Sequence, residues 1–285
     1  MTSKTTDRIA TVYFWASGIV IIAILAWFII RILGEGVPHL SWHFIFGKPE
    51  EIKAGGGVGP QLFNSFYVLF LSLLISVPIG LFAGIYLAIY AQKNWFTDLV
   101  RISVEALSSV PSIVFGLFGF LLFANLLGLK FSILGGAATV ALLNLPVMVR
   151  VTEESIRTVP DSYWEASLAL GSTKWQAIRK VLIPAALPTL ITGITLIAGR
   201  ALGESAILIY TAGLSVSRFF PDFNPLNMGE TLSVHLWYVG AESLVPDAKA
   251  IAKGSAALLL IVVLIFNLLV SVPSRILQKR LSGGK

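Results

Sequence analysis

The chain has 285 residues, of which 56% are hydrophobic and 13% charged, with a mean hydropathy of +0.83. A water-soluble domain carries about 25% charged residues, so most of this surface must face lipid. The lack of Cys excludes disulfides, thiolate catalysis and Cys-ligated zinc. The three scattered His (His39, His43, His235) make no metal cluster, and the formal charge of +6 reads as membrane topology rather than nucleic-acid binding.

A spanning helix needs about 20 mostly apolar residues. Residues 12–33 form the first such stretch. It follows Lys4 and Arg8, exceeds a secretory core in length and lacks an Ala-x-Ala exit, so it is expected to be an uncleaved anchor. A glycine run, Gly55–Gly57, precedes the second stretch and reads as a hinge or as an anion-binding nest. Residues 62–91 hold Pro78, which predicts a kink or tilt, and residues 102–127 hold Pro111. Ser109 and Ser112 flank Pro111 and either face a substrate or bond carbonyls freed at the kink. Gly80-x-x-x-Gly84 and Gly116-x-x-Gly119 predict close helix packing. Residues 131–149 follow after a short loop, so the third and fourth helices are expected to form a tight antiparallel pair. Residues 187–211 and 254–272 complete six spans. The prediction is an all-α integral membrane protein, one domain over residues 1–285.

Orientation follows from Lys and Arg. If the N-terminus is cytoplasmic, thirteen basic residues fall inside and seven outside, which favours both termini inside. The one long inside loop, residues 150–186, is too apolar for a solvated linker. Pro160 and Asp161 open a short helix with Asp161 as its N-cap, and Gly171 ends it. Ser172 or Thr173 caps a second helix, 174–182, which Pro184 stops. Tyr163, Trp164, Leu168 and Leu170 suit a docking surface, while Lys174, Arg179 and Lys180 equally suit an amphipathic pair on lipid headgroups.

In the fifth span, Arg200 lies a little beyond the bilayer midplane, where a charge costs about 2.5–3.5 kcal/mol or more. Gly193, Arg200, Gly203, Glu204 and Thr211 share one helical face. Ile191, Ile194, Ala198, Leu202 and Ile209 share the other, which suits lipid. Arg200 and Glu204, four residues apart, either neutralise each other or serve an anion path, with the guanidinium fork contacting a passing oxyanion. No nucleophile–base or paired-acid constellation lies at depth, so an enzyme is not expected. A proton-coupled carrier would have more helices and internal repeats.

Glu165-Ala166, Gly171 and Ile183-Pro184 resemble the EAA loop of binding-protein-dependent ABC importer permeases, with Ser167 in place of the second alanine. That resemblance implies coupling helices between the fourth and fifth spans that dock on an ATPase subunit. No G-x-x-x-x-G-K-[ST] occurs, so any ATP-Mg is bound by a partner and this chain carries no cofactor of its own. The Ser109–Gly119 stretch, Arg150, Thr152–Glu154, Arg157–Pro160 and Gly199–Glu204 resemble phosphate-specific permeases. The glycine-rich entry to the second span and Thr231–His235 favour the PstA type. The resemblance implies import of inorganic phosphate by alternating access. It also implies a homologous PstC-type permease, two ATPase subunits and an extracytoplasmic phosphate-binding protein as partners, in the inner membrane of a bacterial-type cell. Arg200, Glu204, Ser109 and Ser112 are the candidate substrate-pathway residues; Glu165, Ala166, Gly171 and Pro184 belong to the coupling loop. Sulfate, molybdate and phosphonate are the alternative cargoes.

Overall fold

The computed structural model describes residues 3–50, 53–241 and 245–281, and their regular structure is entirely helical. Lys285, counted among the inside cations, lies outside them. Helix α1 (Ser3–Gly36) leads to α2 (Trp42–Phe46), whose first turn is capped by Ser41 accepting from the Phe44 N–H. α3 (Gly59–Ile85) carries Pro60 in its first turn, where a missing N–H costs no bond, and widens at Tyr86–Tyr90. Asn94 caps α4 (Trp95–Ser108); α5 (Ser112–Gly119) widens into Phe120–Leu126. Ser132 caps α6 (Ile133–Arg157). α7 (Asp161–Ala169) and α8 (Lys174–Ala177) follow, and α8 runs through Ile178–Leu182 into α9 (Ile183–Gly203). α10 (Ala206–Thr211), α11 (Leu232–Ala241) and α12 (Ala248–Leu281) complete the chain.

Among the described residues, five helical segments are long and apolar enough to cross a bilayer: Lys4–His39, Gly59–Tyr90, Ile133–Arg157, Lys174–Gly203 and Ala248–Pro273. The pair Trp95–Ser108 and Ser112–Leu126, bent by 98°, makes a sixth when the two are taken as one broken span. Residues 102–127 are therefore not the single kinked helix that composition predicts. Residues 187–211 are likewise divided, between α9 and α10.

The centre of the fold is α3 against α6. A Cβ on Gly80 would meet Met148 and one on Gly84 would meet Thr152. Both contacts advance by four residues in the same sense, so the two helices run parallel. Glycine here removes the side chain that would hold the backbones apart. Arg101 to Glu153 and Arg150 to Glu105 then run in opposite senses along α4 and α6, which makes that pair antiparallel, as expected. The main core joins Val68 and Leu69 of α3, Val140 and Leu143 of α6, Ala198 and Leu202 of α9 and Ile207 of α10. α1 differs from these. None of its apolar length is buried, and its last residue Gly36 packs on Lys253 and Ala257 of α12.

Candidate functional site

The two broken spans meet. α4 closes with the Ser109 N–H on Ala106 O (3.1 Å) and the Val110 N–H on Leu107 O (3.3 Å). Pro111 has no N–H to continue the helix and disfavours the helical region for Val110. The Ser109 hydroxyl also donates to Ala106 O, at 2.7 Å, so it serves the end of its own helix. Ser112 is half-buried in the first turn of α5. Four residues on, Gly116 lies against the Ala206 carbonyl and Ile207 Cα, the start of α10.

The break in the fifth span is made by Glu204. Its backbone is extended (φ −71, ψ 122), and its Oε1 accepts the Ile207 N–H at 3.3 Å. The carboxylate thus holds the first turn of α10 instead of pairing along α9, taking one of the N–H groups that a helix start leaves without an internal partner. This overturns the Arg200–Glu204 pair. Glu204 is 8% exposed and turned into α10, whereas Arg200 is exposed and has no hydrogen bond or ion pair with any described residue. The faces of α9 also differ from expectation. Ala198 and Leu202 lie in the protein core and Gly193 packs on Val151. Thr192, Leu196, Arg200 and Gly203 form the exposed stripe.

Beside this break lies a buried polar network, in which the Thr231–His235 stretch, marked above only by its resemblance, meets residues of α3 and Glu230. Gln61 Nε2 donates to Glu230 Oε2 (2.9 Å), which also faces His235 Nδ1 (3.0 Å). Asn64 Nδ2 donates to Glu230 O, and the Leu232 N–H donates to Ser65 Oγ. Ser233 Oγ donates to the Glu204 carbonyl at 2.7 Å. A second sequence signal is polar residues at positions 61, 64 and 65, a single helix face inside an apolar stretch. The nearby glycines form no free nest: the Gly55 N–H is taken by Asp247 and the Gly57 N–H by Lys48 O.

At the opposite end, α7 and α8 flank a cleft of about 640 Å3 lined by Tyr163, Ala166, Gly171, Gln176 and Lys180 among others. Gly171 ends α7 at φ +82, as expected, and Thr173 with Gln176 forms a capping box. The N-cap of α7 is Pro160, with Asp161 in the first turn and no side-chain cap. Pro184 does not stop the second helix. It follows the widened turn Ile178–Leu182, through which the helix continues into α9. Ser167 and Ser172 hydroxyls meet at 2.6 Å, tying the end of α7 across the Gly171 turn. Glu165, Ala166, Gly171 and Pro184 are all exposed, and Leu170 is 89% exposed. Also at this end, Glu153 takes both Arg101 (3.0 Å) and Arg157 (2.8 Å).

Residues 76–283 match the family described as binding-protein-dependent transport system inner membrane component. The chain is 47% identical, over the whole of both chains, to the probable ABC transporter permease protein YqgI of Bacillus subtilis. It is 34% identical to the phosphate transport system permease protein PstA of Haemophilus influenzae, over 86% of this chain and 85% of that one. In fold it is similar to a chain of the bacterial alginate ABC transporter complex, with TM-score 0.66 at 13% identity over 98% and 97% of the two chains. A chain of the MetNI methionine transporter gives TM-score 0.57 at 22% identity over 78% of this chain and 94% of that one. With its spans, its family match and these relatives together, the chain belongs to the binding-protein-dependent inner membrane component family and is a multi-pass permease subunit of an ABC importer.

Proposed function

We propose that this permease passes inorganic phosphate, and that Arg200 is the side chain that receives it. The observation that carries the reading is an arginine at the end of α9, beside a broken span, with no internal counter-charge among the described residues. A guanidinium is costly in a bilayer unless it faces water, protein or an anion. Its planar donors match two oxygens of a phosphate at once. Glu204 acts on the backbone instead, holding α10 in place. Ser112, in the first turn of α5, opens a second half-helix beside the first. The PstA relative supports phosphate over other oxyanions.

The rest of the mechanism follows from a permease that carries no phosphate-binding ATP loop. A second permease subunit, two ATPase subunits holding ATP-Mg and an outside binding protein complete the importer. The thirteen-to-seven distribution of cations supports an α7–α8 end in the cytoplasm, with both termini on that side. There the exposed Tyr163, Leu170 and Trp175 give the ATPase an apolar foothold. Closing of the ATPase pair moves α7 and α8, and α8 is continuous with α9, so the motion reaches Arg200 along one helix. The test is competition: ATP-dependent phosphate uptake by the reconstituted complex should be suppressed by unlabelled phosphate and not by equal sulfate, molybdate or phosphonate. Stronger suppression by one of those would reassign the cargo.

A further inference from the structure

The segment from Glu230 to Ser233 is held at both ends by buried polar contacts. On one side Gln61, Asn64 and Ser65 of α3 grip Glu230 and Leu232. On the other, Ser233 holds the carbonyl of Glu204 at the break between α9 and α10. Thr231 and Ser233 hydroxyls lie 3.1 Å apart, so the path is continuous. The Glu230 N–H bonds Ser215 O, and Tyr67 of α3 bonds Phe223 O, which tie in the loop carrying the exposed Phe219 and Phe223. Such a network is costly in an apolar setting unless its groups are paired. It also keeps one unpaired oxygen each on Gln61 and Glu230.

The Glu204 carbonyl has two possible partners. In an unbroken helix it would accept from the N–H of Leu208. In this structure it accepts from Ser233, which stabilises the broken form. We infer that Ser233 is a positioning residue through which the extracytoplasmic binding protein, seated on the exposed Phe219 and Phe223 of the 213–231 loop at the end away from α7 and α8, sets the state of the α9–α10 break. This rests on the reading of that break as the transport path, but not on which anion travels it.

The chain contains no Cys, so Gly203→Cys, at an exposed position with open space around it, supplies a single reporter beside the break. Its labelling by a water-soluble maleimide is measured in the assembled complex, with and without saturating binding protein. With Ser233 present, the binding protein should change the labelling rate at least about fivefold, the lower range of ordinary site-to-site coupling. Ser233→Ala should remove the response and Ser233→Thr, which keeps the hydroxyl, should retain it. Gln61→Met cuts the same path at its α3 end and should also remove the response; it decides the matter if Ser233→Ala does not assemble. A full response in Ser233→Ala or in Gln61→Met, or none with Ser233 intact, overturns the inference. The cargo does not enter this readout, so failure of the phosphate reading appears separately, in the uptake competition.

Discussion

The α3–α6 pair and the broken spans α4–α5 and α9–α10 answer the same constraint in opposite ways. Within a bilayer no water is available to satisfy a free backbone group. α3 and α6 meet it with unbroken helices, although Pro78 and Pro146 lie inside them, and with glycines that bring the backbones together. The broken spans meet it with side chains: Ser109 on Ala106 O, Glu204 on the Ile207 N–H and Ser233 on Glu204 O. Proline alone therefore does not break a span here. A break persists where neighbouring polar side chains supply the missing partners, and the break at Glu204 lies four residues beyond Arg200.

The contrast predicts unequal sensitivity. Gly84→Leu should have the largest effect on the folded subunit. Its side chain has no space against Thr152 and Val149, and overpacking a close contact costs about 1–3 kcal/mol or more. The yield of assembled complex and its thermal unfolding in detergent should both fall sharply. Glu153→Gln comes next. It weakens the group that neutralises Arg101 and Arg157, at a cost of about 1–3 kcal/mol, and should loosen α4 from α6. A lower unfolding temperature with a normal assembly yield is the expected result.

Gly171→Val should cost about 1–2 kcal/mol, because φ +82 places a branched residue in the left-handed region. The damage should appear in retention of the ATPase subunits rather than in folding of the spans. The smallest effect concerns pH. Hydrogen bonds from Ser217, Asn227 and the Asn224 N–H hold the Asp222 carboxyl below its ordinary range. Its stabilisation of the 213–231 loop is complete above the ordinary value of 3.8 and is lost as pH falls through the lowered folded-state value. Asp222→Asn should remove that acid dependence in proteolysis of the loop.

The unbroken half of this comparison is legible in the sequence and the broken half is not. Apolar length marks the spans, Gly80 and Gly84 announce their packing, and Gly171 and Thr173 mark the turn between α7 and α8. Pro111 looks no different from Pro78 in the chain; what separates them is the tertiary setting. Glu204 invites pairing with Arg200 because both fit one helical face, and only the fold shows that the carboxylate finds a backbone N–H first. The Gln61–Glu230–His235 contacts join residues 169 and 174 positions apart, beyond the reach of any local pattern.

The most direct measurement is ATP-dependent phosphate uptake by reconstituted complexes carrying Arg200→Gln or Arg200→Lys, each first shown to assemble normally. An unpartnered arginine that receives the anion predicts that the Gln variant is inactive. The Lys variant should be strongly impaired, because it keeps the charge but loses the planar pair of donors. Wild-type uptake by the Gln variant would contradict the account.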